Sequence, residues 1–243
     1  MEDRLYSKML EVENHHWWFV ARREIISKVV SQIKLKKDAK IVDMGCANGD
    51  NLKMLSQYGT VTALESMHDA CLKAKNRNIC DVFEDNLPNN IPHKINKDNN
   101  LIVMLDVLEH IEKDEEYLSE LKNWIKDSGK LLITVPAYQF LWSKHDELHH
   151  HKRRYTSRQL KKILGNNGWE VKYISYFNFF LFPVALIERL KQKIFPSKVD
   201  TGLKMPNLFL NNILKNIFRL EKYFIGKLSF PFGLSIILLA TMK

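Results

Sequence analysis

Four histidines fall within seven residues, His145, His149, His150 and His151, and carboxylate, guanidinium and aromatic groups surround them. The runs are Trp142-Ser143-Lys144-His145-Asp146 and His151-Lys152-Arg153-Arg154-Tyr155. Imidazole titrates near neutrality and can take a proton from a hydroxyl. Arginine pairs bind phosphate or carboxylate through paired N–H groups, and an aromatic neighbour can frame a substrate. These residues predict an acceptor site, with His145 and His151 as proton-transfer candidates and Trp142, Arg153, Arg154 and Tyr155 as substrate contacts. An ion pair between Asp146 and Arg153 or Arg154 that fastens the loop would use the same residues. Four clustered histidines also suggest a metal. No metal is expected, because neither a cysteine nor a distant ligand set with metal spacing accompanies them.

A second chemical signature is Ile41-Val42-Asp43-Met44-Gly45-Cys46-Ala47-Asn48-Gly49. An apolar run ends in a glycine-bearing turn, and helical spacing follows. Glycine lets a ligand approach the backbone, and the helix start offers free N–H groups. Glu65 ends the next apolar run, where a carboxylate can accept both hydroxyls of a ribose. A dinucleotide site shares this architecture but wants G-x-G-x-x-G, whereas this turn reads G-C-A-N-G. Ordinary turn glycines of some α/β protein are the bland alternative.

The elements that would position these groups alternate. Lys40–Met44, Thr60–Leu64, Ile79–Phe83, Asn100–Leu105 and Lys130–Val135 read as strands. Helical patterns over 50–58, 67–75 and 113–126 separate them. Strand–helix alternation predicts a doubly wound, mostly parallel seven-stranded α/β sheet, completed by Trp169–Tyr176 and Ser235–Thr241. Thr156 and Ser157 are candidate caps of a helix reaching about Leu164. The expected organisation is an N-terminal helical extension (1–38), a cofactor-binding domain (39–176 and 232–243) and a helical insertion (177–231).

On these residues the chain resembles class I S-adenosylmethionine-dependent methyltransferases. The turn is similar to their D-x-G-x-G-x-G motif, with Ala47 in place of the middle glycine. Asp106-Val107-Leu108-Glu109-His110 resembles the D-V-L-E-H segment of the branch that includes the ubiquinone-biosynthesis methyltransferases, and Lys126–Gly129 is similar to the turn before their fifth strand. The resemblance implies S-adenosylmethionine as cofactor, held by Asp43, Gly45, Cys46, Ala47, Gly49, Glu65, Ser66, Asp85, Leu105, Asp106 and His110. Within that set, Glu65 takes the ribose, Asp85 faces the adenine, and Asp106 and His110 border the methyl group. His110 is a third proton-transfer candidate. Asp106 as a helix cap and Glu109 as a surface residue remain the plainer readings. A W-W/F-x-x-R-R segment marks a subfamily of these enzymes, and here it places Trp18, Arg22 and Arg23 at the acceptor.

The net charge is +9, and from Phe177 to Lys243 ten Lys/Arg stand against three Asp/Glu. Positive charge attracts phosphate or anionic lipid without saying which. The helical period of 208–228 puts Leu210, Ile213, Leu214, Ile217, Leu220, Phe224 and Leu228 on one side, with Asn211, Lys215, Arg219 and Lys222 opposite. That composition suits an interfacial helix or a lid. Glu221 falls in the apolar face, where an arginine is its expected partner. The insertion is thus expected to cover the acceptor and touch a membrane, making the acceptor a hydroxyl of an amphiphilic, lipid-linked or saccharide-type molecule. Phe177–Ile187 is too short to span a bilayer, for which about twenty apolar residues are needed. Three cysteines without disulfide spacing and no secretory leader predict a cytoplasmic protein, peripheral on the inner membrane face. Nucleic-acid methylation is the first rival; the N/D-P-P-aromatic segment of base-amine enzymes is replaced here by Asp106-Val107-Leu108-Glu109. A non-catalytic cofactor-binding membrane-surface protein is the second.

Overall fold

The apolar runs pair into one seven-stranded sheet in the order β3-β2-β1-β4-β5-β7-β6. The computed structural model describes residues 9–84, 98–194 and 204–243; Asp85 lies outside the described residues. Strands β1 (Lys40–Met44), β2 (Thr60–Glu65), β3 (Asp81–Glu84), β4 (Asn99–Leu105) and β5 (Ile125–Pro136) are parallel. β7 (Ser235–Met242) runs antiparallel between β5 and β6 (Trp169–Phe177).

Period-two alternation gives the sheet two apolar faces. Ile41, Leu101, Val103 and Leu132 pack on one side with Ile25, Ile26, Val29 and Val30 of α1 (Trp17–Gln32). Val42, Met44, Ile102 and Met104 pack on the other with Tyr117 and Leu118 of α4 (Asp114–Glu120) and Leu160 and Leu164 of α6 (Ser157–Asn166). The N-terminal segment from Trp17 is therefore part of the domain core. Thr156 caps α6, with Gln159 completing the reciprocal pair. The order reverses between β1 and β4, which opens a crevice at their carboxyl ends.

Three expected elements are shorter. Between β1 and β2, regular helix is confined to α2 (Leu52–Leu55), because Tyr58 N–H closes onto Leu55 O in a tighter turn. The helix after β2 is α3 (His68–Lys75). The helix expected to reach residue 126 stops at Glu120, since Ile125 is already paired with Asn99 in the sheet.

The inserted helices are α7 (Phe182–Ile194) and α8 (Leu208–Arg219), and only part of the expected apolar face of α8, Leu214 and Ile217, packs against the core. Asn211 is buried, accepting from Trp17 N and donating to His15 O, and Arg219 and Lys222 pair with Glu24 of α1. Leu208, Phe209, Leu220 and Leu228 instead face solvent, at 80%, 77%, 50% and 59% exposure. Satisfying buried polar groups outranked burying every apolar one.

Glu221 has no arginine partner among the described residues. It accepts the backbone N–H groups of Asn178, Phe179 and Phe180 at 2.7, 2.7 and 3.1 Å. Burial pushes its carboxyl up to about 7 despite those three donors. A raised acid binds more protons folded than unfolded, so its stabilising contribution is complete at low pH and is lost as pH climbs through 7. Wild-type melting temperature is expected to fall more steeply than that of Glu221→Gln between about pH 5 and about pH 8. Parallel melting curves across that range would contradict this.

Candidate active site

The loop leaving β1 is shaped by three left-handed residues. Gly45 has φ +77°, and a Cβ there would sit 2.6 Å from Val107 Cγ2. Gly49 has φ +78°, and its Cβ would meet Leu52 Cδ1 at 2.8 Å. Ala47 adopts φ +50° with a side chain present, the position where the resembled motif has glycine. L-residues pay for that region sterically. Ala47→Gly is therefore expected to raise stability by about 0.5–1 kcal/mol, read from denaturant midpoints; a loss of similar size would mean the methyl group makes a contact worth more than the strain.

Glu65, 4% exposed, organises this loop from the end of β2. Its Oε2 accepts Ala47 N–H at 2.7 Å and its Oε1 accepts Met67 N–H at 2.9 Å, with Ser66 Oγ at 3.5 Å. An ionised carboxylate has about four acceptor directions, so roughly one per oxygen remains after the two backbone bonds. Two neighbouring hydroxyls fit that remainder. Asp43 is buried beneath the loop, and Oδ2 has no partner among the described residues. Burial, then the Asp50 and Glu65 charges, push its carboxyl up to about 8. Burial also pushes the Cys46 thiol upward, which makes it an inert loop residue and a poor nucleophile. An unpartnered buried acceptor, a half-used carboxylate and a glycine cradle that a Cβ would fill together suit a nucleoside with a ribose diol.

At the end of β4, past Leu105, Asp106 is held at φ +59°. Arg22 Nη2 donates to Asp106 Oδ2 and to Thr134 Oγ1, both at 2.8 Å, and Thr134 Oγ1 reaches Asp106 Oδ1 at 3.0 Å. The Trp18 ring covers the Arg22 guanidinium at 5.1 Å. Arg22 is buried, with Nη2 committed to Asp106 and Thr134 while Nε has no hydrogen-bond partner among the described residues. Arg23 likewise reaches Glu13 O at 2.6 Å and Asp50 at 3.4 Å. Sequence reading missed Thr134 and also the Glu13–Arg77 pair, in which Arg77 additionally holds Asn48 O of the Gly45–Gly49 loop. No local motif announces partners 64 and 112 residues apart.

The histidine cluster is organised by Asp146, at the third position of α5 (Lys144–Leu148). It is fully buried and accepts from Ser143 N at 2.9 Å, His151 Nδ1 at 2.8 Å, and Arg154 Nε and Nη2 at 2.7 and 3.0 Å. Burial alone would raise its carboxyl, but the His151 and Arg154 bonds hold it well below the usual range. Two of the expected substrate contacts are engaged within the protein itself. Arg154 is buried and also donates to Ala137 O, while Tyr155 is buried with its hydroxyl on Asp114 Oδ2 at 2.8 Å. Both fasten the loop, as the fastening alternative requires of Arg154. Arg153 pairs with Asp114 at 2.9 Å but remains partly exposed, and Trp142 is half-buried. The three candidate bases do converge: the His110 and His151 rings lie 4.8 Å apart, and His145 is 6.2 Å from His151. Burial, then the facing His151, push the His110 imidazole down to about 4, so it is neutral at physiological pH.

A glycine loop at the switch point, an acidic residue closing β2 and an antiparallel seventh strand together define a class I S-adenosylmethionine-dependent methyltransferase. The methyltransferase-domain family model matches residues 18–174, and the chain belongs to that family. Among curated proteins, none matches the sequence. Among solved structures, the chain is similar to the methyltransferase partner of the Haloferax volcanii Trm112 methyltransferase activator (TM-score 0.64, 12% identity, 99% of this chain and 95% of that one). It is also similar to a SAM-dependent methyltransferase from Archaeoglobus fulgidus (TM-score 0.58, 18% identity, 90% and 94%). A third similar structure is the magnesium protoporphyrin IX methyltransferase of Synechocystis PCC 6803 with bound SAH (TM-score 0.56, 13% identity, 93% and 86%). At these identities the likeness is one of fold.

Proposed function

We propose that this methyltransferase moves the methyl group of S-adenosylmethionine to a hydroxyl of an amphiphilic, lipid-linked or saccharide-type acceptor. When bound, the cofactor supplies a methyl group activated on a sulfonium. Glu65 receives the ribose hydroxyls, one on the open direction of Oε2 and one on Oε1 in place of the long Ser66 contact, and the Gly45–Gly49 loop carries the methionine end. Asp106, oriented by Arg22 and Thr134, borders the methyl group from the end of β4, with Leu105 and His110 beside it. Asp43 shapes the floor. Methyl transfer is an in-line displacement governed largely by alignment, so holding donor and acceptor in register is most of the work.

The acceptor's hydroxyl lies against the histidine cluster, where Asp146 fixes the His151 ring and leaves its Nε2 lone pair facing inward. Trp142 and Arg153 border the approach. The observation that carries the acceptor class is the exposed apolar surface of the insertion: Val184, Ile187 and Leu190 on α7 with Leu208, Phe209 and Leu220 on or just after α8. Exposed lysines 204 and 227 lie at either side of α8. Apolar contact combined with positive charge is what an anionic lipid surface binds. Arg189 of α7 donates to Leu141 O and Ser143 Oγ, which ties this surface to the histidine loop. No helix among the described residues is long and apolar enough to cross a membrane.

Purified protein incubated with methyl-labelled cofactor and extracts separated into lipid, nucleic-acid and small-molecule fractions is expected to label the lipid fraction. It is also expected to float with anionic liposomes at low salt, and Phe209→Ser is expected to sink it. Label confined to nucleic acid would refute the acceptor class. Binding of cofactor without labelling of any fraction would favour a non-catalytic protein.

A further inference from the structure

We propose that Glu109, His110 and His151 form a binding site for a divalent transition-metal ion, with open coordination positions facing the acceptor. Each residue offers one ligand atom, and these atoms all lie within 4.8 Å of one another. Ligand atoms about 2.1 Å from a tetrahedral ion stand roughly 3.4 Å apart. Glu109 Oε1 and His151 Nε2 are already at 3.9 Å. Small side-chain movements bring the third ligand to the same distance.

Glu109 supplies the independent reason to place a cation here. Its side chain is fully buried, and neither carboxylate oxygen has a hydrogen-bond partner among the described residues. A buried polar group left in that condition is strongly unfavourable, and an ionised one more so. A surface position was the plainer alternative for this residue from sequence, and its burial excludes that. A divalent ion between the carboxylate and two imidazoles supplies the missing partner.

The other ligands are prepared for the role. His151 Nδ1 lies 2.8 Å from Asp146 Oδ1, and a histidine donating from one nitrogen to a carboxylate presents its other lone pair to a metal. Asp146 is itself locked by Arg154. Backbone bonds hold the two halves together: Lys152 N–H donates to Glu109 O at 2.8 Å, and His151 N–H donates to Asp146 O at 2.9 Å. The His110 ring meets the His151 ring edge-on, interplanar angle 80°.

One carboxylate and two imidazoles select for zinc, manganese, iron(II) or cobalt over magnesium and calcium, which favour oxygen ligands throughout. Three protein ligands with open positions are the arrangement of a catalytic site, whereas structural sites are closed by four. The residue before this turn, Val107, packs over Gly45 of the cofactor loop. The open positions therefore suit the oxygen of an acceptor hydroxyl. That last assignment rests on the acceptor reading above; the metal site itself does not. The sequence expectation of no metal fails to consider this set because two ligands are adjacent and the third is 41 residues further on, with no spacing motif.

The test uses the full chain, stripped with a chelator and titrated calorimetrically with zinc chloride, and separately with magnesium chloride, without cofactor. Cobalt(II) substitution with visible absorption provides a second readout. One equivalent of zinc is expected to bind, magnesium far more weakly, and cobalt to give ligand-field bands. Glu109→Gln and His110→Gln are each expected to weaken zinc binding by roughly 100-fold or more, since loss of a partner that merely supports a ligand already costs about 10–100-fold. Glu109→Gln should keep its circular dichroism spectrum and its affinity for S-adenosylmethionine, which separates a lost metal site from a lost fold. Absence of stoichiometric zinc or cobalt binding overturns the proposal. Binding that survives both substitutions overturns it too, by placing the ion on other histidines. Neither result touches the methyltransferase reading, which fails only if the cofactor does not bind.

Discussion

Replacing Asp146 with alanine is expected to remove about 3–5 kcal/mol of folding stability, the cost of breaking a buried ion pair by deleting one partner. The loss arises because Arg154 stays behind, buried, with its Nε and Nη2 donors stripped of their acceptor. His151 loses the bond that sets its ring, and Ser143 N–H loses its cap. Chemical denaturation of wild type and variant measures the difference. The double variant Asp146→Ala/Arg154→Leu should be less destabilised than additivity predicts, since removing the orphaned charge removes much of the penalty. A loss below about 1 kcal/mol, the scale of an exposed pair, would mean the loop is solvated. Because the Asp146 carboxyl is held below its ordinary range, its contribution is present above the usual carboxylate pKa and disappears as pH falls through acid. The wild-type advantage over Asp146→Ala should therefore shrink on acidification.

Glu65→Ala is expected to weaken S-adenosylmethionine binding by about 100- to 1,000-fold, corresponding to roughly 3–4 kcal/mol. Hydrogen bonds to a charged acceptor contribute about 1.5–3 kcal/mol each, and two ribose hydroxyls are at stake. The variant also frees Ala47 N–H and Met67 N–H, so the loop itself loosens. Glu65→Gln separates these effects. Its amide retains one acceptor oxygen and places a donor against the other backbone N–H, so an intermediate loss is expected. Calorimetric titration of each variant gives the numbers; a Kd within a few-fold of wild type for Glu65→Ala would break the cofactor assignment at its centre.

The parts of this protein legible from sequence are those whose chemistry is local. A strand, a glycine turn and the next strand's terminal carboxylate lie within 25 residues, Lys40 to Glu65, and parallel pairing of adjacent strands brings them together automatically. The strand runs were readable because both faces of a parallel sheet must be apolar. Thr156 was readable as a cap because capping uses the next three residues.

Other assignments failed for a common reason. Helical periodicity sorts α8 into faces but does not say which face meets the protein; that was decided by Glu24, from α1, reaching Arg219 and Lys222, and by Asn211 bonding the chain at residues 15 and 17. Arginines look alike in sequence whether they await a substrate or neutralise a buried carboxylate. Arg22 and Arg154 already hold carboxylates, the partly exposed Asp106 at 2.8 Å and the fully buried Asp146 at 2.7 Å.

The amino-acid order by itself thus determined the sheet, the glycine turn after β1 and the carboxylate that organises it. The tertiary structure decided which charged groups are already paired, and it set Glu109, buried and without a hydrogen-bond partner among the described residues, 3.9 Å from His151. Hydrogen bonds and ion pairs act over about 3 Å of space regardless of chain separation, so a one-dimensional pattern records them only when the partners are near neighbours.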